Sequence, residues 1–169
     1  MKKIKFFKKK DKNKNFFSTV IILDNIRSMN NIGSVFRIAD SFLIKKIYLC
    51  GISGTPPHKH IYKTSLGSEK TVKWFYYKNI DILLRKIKNK NYKVIIIEQV
   101  NKSVNLQNFL PSFNNKYCLI FGNEIFGINK NLLSKKNIFL EIPQYGTKHS
   151  LNISISVGIV LWHFFNKLN

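Results

Sequence analysis

The chain reads Ile142-Pro143-Gln144-Tyr145-Gly146 and then Ser150-Leu151-Asn152-Ile153-Ser154, ahead of a long apolar helix pattern. A strand that ends in proline, a glycine turn and a polar cluster that opens a helix leave backbone N–H groups and a hydroxyl beside one cleft. These residue types predict a place where a nucleotide-like ligand is held between the end of a strand and the start of a helix.

Two other segments repeat this arrangement. Residues 31–37 (Asn-Ile-Gly-Ser-Val-Phe-Arg) follow the first apolar strand pattern, and residues 121–127 (Phe-Gly-Asn-Glu-Ile-Phe-Gly) follow another. All three segments are polar, contain glycine and come directly after a β-like run. Glycine allows a close approach of backbone groups, so the three segments are candidates for one shared site.

These segments resemble the three motifs of the SpoU/TrmH-type RNA ribose 2′-O-methyltransferases of the SPOUT superfamily. The matching patterns are Asn-x-Gly-x-x-x-Arg at 31–37, Gly-Asn-Glu-x-x-Gly at 122–127 and Ile-Pro-x-x-Gly-x-x-x-Ser-Leu-Asn at 142–152. Each pattern is short and weak alone. Three of them in the family's order, within a likeness that spans residues 18–164, make the resemblance specific.

Length and apolar pattern describe one domain. A chain of 169 residues buries roughly 70% of its unfolded surface, enough for one core. Its apolar stretches are far shorter than the ~20 residues that span a bilayer, so we expect a cytoplasmic protein without a membrane segment. Cys50 and Cys118 sit in apolar runs, which favours buried thiols, and His58 and His60 lack the spacing of metal ligands. We expect no metal.

The net charge of +21 indicates a polyanionic partner. The chain has only three arginines, which fits codon drift toward lysine and asparagine and weakens that argument. The position of the charge is more informative, because eight lysines lie within residues 1–14. We therefore predict a basic arm over residues 1–17 that neutralises phosphates, with a merely solvated tail as the alternative, and a single domain over residues 18–169.

Apolar, β-branched runs alternate with helical patterns after the basic arm. The predicted strands are Thr19–Leu23, Lys46–Leu49, Tyr92–Ile97, Tyr117–Phe121 and Ile138–Ile142. Apolar residues at helical spacing predict helices around residues 32–42, 80–87 and 151–162.

Several predicted strands are apolar on both faces, as buried parallel strands are. The prediction is therefore an α/β domain in which a mostly parallel sheet has flanking helices. The resemblance further implies a SPOUT-type α/β knot, that is, a C-terminal trefoil knot, here over residues 122–151. It also implies a homodimer with its sites near the interface.

Arg37 and Asn31 belong to the first motif. Arg37 is one of few arginines in a lysine-rich chain, which indicates a role for a planar, forked hydrogen-bond donor at this position. A salt bridge to Asp40 or Asp24 would also explain the arginine. The resemblance implies that Arg37 is catalytic. A guanidinium is a poor base, so we prefer a role in binding phosphate and stabilising the developing 2′-oxyanion. Asn31 reads as an N-cap, and the resemblance places it in the active site, orienting Arg37 or the ribose.

Glu124, Ser150 and Asn152 complete the predicted catalytic set. A carboxylate beside an RNA-binding cleft repels phosphates and weakens RNA binding, so its presence there indicates another role. The resemblance places Glu124 near the active site, where it is expected to pair with Arg37; the alternative is a charge at a helix N-terminus. Ser150 reads as the N-cap of the last helix, and Asn152 is explained less well by capping. The resemblance assigns both to the active site.

The cofactor implied by the resemblance is S-adenosyl-L-methionine. Gly122, Ile142 and Leu151 match positions whose backbone groups hold its adenine and ribose, and Glu98 belongs to a stretch that borders it. Backbone donors and acceptors suit a neutral adenine edge.

The implied function is methylation of a ribose 2′-hydroxyl in structured RNA, with tRNA preferred over rRNA. Two alternatives stay open. A base methyltransferase of the same superfamily would need a general base near a flipped base. A non-catalytic RNA-binding or ribosome-assembly protein would be expected to lose its cofactor loops, which are present here.

Overall fold

The computed structural model describes residues 18–133, 137–148 and 150–168. Within these ranges seven strands form one sheet, in the order β3-β2-β1-β6-β4-β7-β5, and every pairing between neighbours is parallel. The strands are β1 Thr19–Asp24, β2 Lys46–Cys50, β3 Trp74–Tyr77, β4 Tyr92–Ile97, β5 Val104–Asn105, β6 Lys116–Phe121 and β7 Ile138–Glu141. The helices are α1 Met29–Ser41, α2 Lys59–Ser65, α3 Ser68–Thr71, α4 Ile80–Lys88, α5 Lys130–Leu133 and α6 Ile153–Leu168.

The predicted α/β fold with a parallel sheet is confirmed. All five predicted strands are present, with bounds that differ by at most one residue at either end. The three predicted helices are present as α1, α4 and α6, and α6 begins at Ile153 rather than at Leu151. The pattern analysis missed β3, β5 and the short helices α2, α3 and α5. The trefoil knot stays a prediction, and the predicted basic arm lies outside the described residues.

Helices cover both faces of the sheet, which is why the central strands are apolar on both sides. On one face, Phe36 of α1 and Phe164 of α6 are fully buried against residues of β1 and β6 such as Leu119. On the other face, Leu83 and Ile87 of α4 pack against the opposite sides of the same strands. Parallel sheets are stable in this two-sided arrangement because both hydrophobic faces leave water.

Both cysteines are buried as free thiols, as predicted. Cys50 ends β2 and Cys118 lies in β6, both fully shielded from solvent. Within the described ranges, no helix has the length and apolar character of a membrane span. The same ranges hold no cluster of three or more metal-ligating side chains.

Strand register brings the loops after four strands to one edge of the sheet. Phe121 at the end of β6 is paired with Leu23 of β1 on one side and with Ile97 of β4 on the other, and Ile97 is paired with Leu140 of β7. The loops that leave these strands therefore start side by side. Ligands of open α/β sheets bind beyond the carboxyl ends of the strands, and this edge is where all three motifs lie.

Candidate active site

A cleft of about 360 Å³ opens at the carboxyl ends of β4, β6 and β7 and is closed by the start of α6. Six of the nine predicted site residues line it: Glu98, Gly122, Glu124, Ile142, Ser150 and Leu151. The other three, Asn31, Arg37 and Asn152, lie outside its lining. The structure thus separates the predicted set into a cleft group and a neighbouring group.

The loop after β6 is compact because its backbone is closed by hydrogen bonds. Asn123 and Gly127 exchange two backbone hydrogen bonds, of 2.8 and 3.0 Å. The Asn123 Oδ1 accepts from the N–H groups of Ile125 and Phe126, both at 2.9 Å, while its Nδ2 donates to the backbone oxygen of Asn25. This side chain is buried, so the loop is held in one shape before any ligand arrives.

Gly122 lies directly against this loop. A Cβ at Gly122 would be 2.5–2.6 Å from the backbone of Gly127 and Ile128, closer than real Cβ contacts. Gly127 has φ +66°, a conformation that L side chains rarely adopt. Both glycines are therefore needed for the wall of the cleft to form.

Glu98 ties the same wall to β4. Its Oε2 accepts from the N–H of Ile128 at 3.1 Å, and its own N–H donates to the backbone oxygen of Leu140 at 3.0 Å. The carboxylate thus holds residues 127–128 in place while it lines the cleft. Its predicted contact with a cofactor stays a prediction.

A chain of hydrogen bonds joins the three motifs beside the cleft. Glu124 Oε1 accepts from Asn31 Nδ2 at 3.2 Å, and Asn31 Oδ1 accepts from Asn152 Nδ2 at 3.1 Å. Glu124 also accepts from the backbone N–H groups of Arg27 at 3.0 Å and Ser28 at 3.2 Å. Residues from the β1–α1 loop, the β6 loop and the start of α6 are therefore fixed relative to one another.

The Glu124 carboxylate is ionised at neutral pH. Partial burial raises its pKa, but the N–H donors of Arg27 and Ser28 and the amide of Asn31 together outweigh burial, so that the pKa lies below its ordinary value. The predicted pairing of Glu124 with Arg37 is wrong. In the described part of the chain its partners are backbone and amide donors, because the turn that precedes α1 aims its N–H groups at the carboxylate.

The predicted N-caps of α1 and α6, Asn31 and Ser150, are also wrong. Helix α1 is capped by Ser28, whose Oγ accepts from the N–H of Asn31 at 3.2 Å. Asn31 therefore lies inside the first turn, where its side chain is available for the network. At α6 the cap is Asn152 rather than Ser150, since Asn152 Oδ1 accepts from the N–H of Ser154 at 2.9 Å.

Arg37 lies on the exposed side of α1. Neither alternative salt bridge forms among the described residues: Asp40 accepts from Thr71 Oγ1 at 2.7 Å, and Asp24 is buried beside Asn25. With no ion pair or hydrogen bond on its guanidinium within the described ranges, Arg37 presents a forked cation to solvent.

Two residues of the site were missed by sequence reasoning. Asn123 was read only as part of a motif, yet its side chain organises the loop. Ser28 was not singled out, although a serine that precedes a helical pattern is a standard capping signal. Both could have been found from local capping and turn chemistry alone.

The comparison with known families identifies the class of this protein. Residues 18–162 match the model of the SpoU rRNA Methylase family. This match covers most of the chain, and the protein belongs to that family.

Individual relatives agree with this assignment. The chain is 27% identical over 159 residues to a tRNA (guanosine(18)-2′-O)-methyltransferase of Borreliella burgdorferi, covering 90% of this chain and 67% of that protein. An AdoMet-bound rRNA methyltransferase from Sinorhizobium meliloti superposes with a TM-score of 0.81 at 26% identity, covering 89% of this chain and 57% of that one. The TrmH/SpoU tRNA modifying enzyme of Aquifex aeolicus shares the fold, with a TM-score of 0.79 at 23% identity, over 89% of this chain and 75% of that one. The chain spans about two thirds of the length of the curated relatives it matches.

Proposed function

We propose that this protein is an S-adenosylmethionine-dependent methyltransferase that modifies a ribose 2′-hydroxyl in structured RNA, tRNA in preference to rRNA. The observation that carries the proposal is the hydrogen-bonded chain Glu124–Asn31–Asn152 beside the cleft. It joins three sequence motifs into one donor-rich site. The names of the relatives support the reaction, and two of them specify a tRNA guanosine.

The cleft fits the proposed cofactor in size and chemistry. A volume of about 360 Å³ lies within the range of small-molecule sites. Gly122, Ile142 and Leu151 would hold the adenine and ribose through backbone groups. The carboxylates of Glu98 and Glu141 also line the cleft and would complement a cationic ligand. S-adenosylmethionine supplies the methyl group as part of a cationic sulfonium, so no metal is needed to activate it.

The chain's own residues must position the ribose and ease loss of the 2′-OH proton. Arg37 would bind the adjacent phosphate and stabilise the developing 2′-oxyanion, since a permanently charged fork cannot accept the proton. Asn31 and Asn152 would hold the ribose in line with the methyl, and Ser150 would add a hydroxyl at the cleft. Alignment of this kind can lower a barrier by roughly 7–11 kcal/mol.

The alternatives have less support. A base methyltransferase needs a pocket that stacks on a flipped base, whereas among the described residues that line this cleft Phe121 is the one aromatic residue. A non-catalytic RNA-binding protein would not need the tightly built wall of Gly122 and Gly127.

The position of the methyl group tests the proposal. The purified protein would be incubated with labelled S-adenosylmethionine and RNA from cells that lack it, and the labelled RNA would be partially hydrolysed with alkali. A 2′-O-methyl group blocks attack on the adjacent phosphate, so the ladder should show a gap, and mass spectrometry should place the methyl on the sugar. A methyl on the base, with an unbroken ladder, would support the base methyltransferase instead.

A homodimer in the cytoplasm is part of the same proposal. Helix α6 carries a stripe of exposed apolar side chains at helical spacing, formed by Ile155, Ile159 and Trp162, which are 54%, 37% and 59% exposed. The stripe starts beside Leu151, which lines the cleft. In a dimer formed through the stripe, each copy would therefore border the cleft of the other. Exposed apolar patches of this kind mark association surfaces.

Light scattering would test the dimer. The wild-type protein should have twice the mass of the chain, and Ile155→Glu with Trp162→Glu should convert it to a monomer, because two charges would be buried in the interface. A wild-type monomer at high protein concentration would reject the dimer.

A further inference from the structure

A second concave site lies at the opposite edge of the sheet from the cleft. It encloses about 340 Å³ where β2, β4 and β6 begin. We call it the amino-edge pocket, and its lining is Lys45, Lys46, Tyr48, Asn89, Lys90, Asn91, Tyr92 and Lys116.

The amino-edge pocket is strongly positive. Among the described residues that line it, four are lysines and none has a carboxylate. Asp40 shares a neighbouring depression with Lys45 and Lys46, but it accepts a hydrogen bond from Thr71.

Acidic residues concentrate at the other edge. The acidic side chains at or next to the carboxyl ends of the strands are Asp24, Asp81, Glu98, Glu124 and Glu141. The fold therefore places these five carboxylates at the opposite ends of the strands from the four lysines of the amino-edge pocket.

Aromatic rings adjoin the lysines. Phe75 of the edge strand β3 is 45% exposed and stacks on Tyr48 with ring centroids 5.9 Å apart. Lys46 Nζ lies 5.3 Å from the centre of the Phe75 ring. An exposed ring beside lysines is the combination that binds a nucleic-acid strand without reading its sequence, since a base stacks while its phosphate is neutralised.

The start of the described chain lies in the same place. Ser18 accepts a backbone hydrogen bond from Tyr117 at 3.3 Å, and Thr19 accepts one from Lys45 at 3.1 Å. Ser18, which follows the lysine-rich residues 1–14 in the sequence, therefore lies between Lys45 and Tyr117, on the border of the amino-edge pocket.

The amino-edge pocket is too far from the cleft to serve the same nucleotide. Strand β4 connects the two and has six residues, so they are roughly 17 Å apart at ~3.3 Å per residue. An RNA that fills both must extend along the sheet.

We propose that the amino-edge pocket is a second RNA-contact site, which holds phosphodiesters of the substrate away from the methylated nucleotide. The proposal rests on the proposed function for the identity of the polyanion as RNA. It defines the substrate class as RNA folded or long enough to span both edges of the sheet.

A charge-matched pair of variants tests it. The pocket variant carries Lys→Gln at 45, 46, 90 and 116, and the control carries Lys→Gln at 78, 86, 102 and 167, which are exposed elsewhere. Both lose four charges. Binding of fluorescein-labelled unfractionated tRNA would be measured by anisotropy from 50 to 300 mM KCl.

The pocket variant should bind at least tenfold more weakly near 0.1 M salt, and its slope of log K against log salt should fall by about 3, at ~0.7–0.9 per lost phosphate contact. The control should change less than threefold. Equal losses in both variants would overturn the proposal, because net charge alone would then explain binding. Thermal melting and calorimetry with S-adenosylmethionine should match wild type in both.

Two further measurements separate the sources of the anion. Inorganic phosphate at 10 mM should displace little tRNA, and phosphatidylglycerol vesicles should bind the pocket variant and the control alike. Loss of vesicle binding with intact tRNA binding would overturn the RNA assignment. The methyl-transfer assay on wild type decides the proposed function independently, since the anisotropy measurement needs no methylation.

Discussion

The side-chain amide of Asn152 donates a hydrogen bond to the side-chain oxygen of Asn31 at 3.1 Å, across 121 positions of sequence. Asn152 also caps α6, and Asn31 is held on its other side by Glu124. The start of the last helix therefore sets the orientation of a side chain on the first helix. The cap and the network use different atoms of Asn152, so the two roles can be separated by substitution.

Asn152→Ser should keep the helix cap and lose the contact with Asn31. A serine oxygen can still accept from the N–H of residue 154, so stability should stay within ~0.5 kcal/mol of wild type, whereas Asn152→Ala should lose about 1 kcal/mol. Both should reduce methyl transfer at least tenfold, because Asn31 is no longer oriented. Urea unfolding and a radiolabelled methyl assay measure the two effects. Full activity of Asn152→Ser would show that the contact is structural only.

Arg37→Ala should abolish methyl transfer while S-adenosylmethionine binding stays within a few-fold of wild type, because Arg37 lies outside the lining of the cleft. Arg37→Lys should fail as well, since an ammonium does not reproduce the fork. Arg85→Ala is the control, as Arg85 is an exposed arginine on α4. Calorimetry and the methyl assay together decide, and an active Arg37→Ala protein would remove this residue from the catalytic set.

The strands predicted from sequence were correct where burial on both faces imposes an apolar run, as in Val94–Ile96. Edge strand β3 was missed because two of its four side chains are exposed and aromatic, which leaves no clear pattern. Strand β5 has only two residues, too few for any periodicity. The order of the strands follows from packing between distant segments and has no signal in a single sequence.

The motifs predicted which residues belong to the site, but they predicted the hydrogen-bond partners of those residues less well. Glu124 was predicted to pair with a guanidinium, but it accepts from Arg27 and Ser28 backbone groups instead. Likewise Ser150 is as good a capping residue as Asn152, and the choice depends on where the backbone turns into α6. Partner choice of this kind depends on tertiary placement, which residue type and spacing do not contain.

Gly122→Ala should weaken S-adenosylmethionine binding at least tenfold. The new Cβ would meet the backbone of Gly127 at about 2.5 Å and push the wall of the cleft out of place. Gly146→Ala is the matched control, because a Cβ there meets nothing within 4 Å. Calorimetric titration of both variants with S-adenosylmethionine measures the effect. Equal affinities would mean that the loop moves to accept the new Cβ without loss of binding.

Deletion of residues 1–15 should leave S-adenosylmethionine binding intact and weaken binding of RNA. If about four to six of the eight lysines contact phosphates, the slope of log K against log salt should fall by roughly 3–5. Anisotropy with labelled tRNA at several salt concentrations measures the slope. An unchanged slope would leave the arm as a solvated tail.

Asp24 should make the protein less stable as pH rises from 4 to 8. It is 2% exposed, and its Oδ2 has no hydrogen-bond partner in the part of the chain that is described. Burial raises its pKa to about 6 from 3.8, with the Asn25 amide opposing and the Asp81 carboxylate adding to the rise. Well below pH 3.8 the Asp24 carboxyl is protonated in both the folded and the unfolded protein, so its raised pKa does not lower the free energy of unfolding. As pH rises, the carboxyl ionises first in the unfolded chain, and the free energy of unfolding falls until the folded protein also ionises near pH 6.

Asp24→Asn removes this cost because an amide cannot ionise. A rise of about 2 pKa units corresponds to about 3 kcal/mol, so relative to wild type the variant should gain about 2–3 kcal/mol of unfolding free energy between pH 4 and pH 8. Urea unfolding at both pH values measures the gain. Asp40→Asn, at an exposed carboxyl that accepts from Thr71, is the control for the loss of a carboxylate at the surface. If Asp24→Asn differed from wild type by the same amount at pH 4 and pH 8, Asp24 would ionise in the folded protein as it does in the unfolded chain.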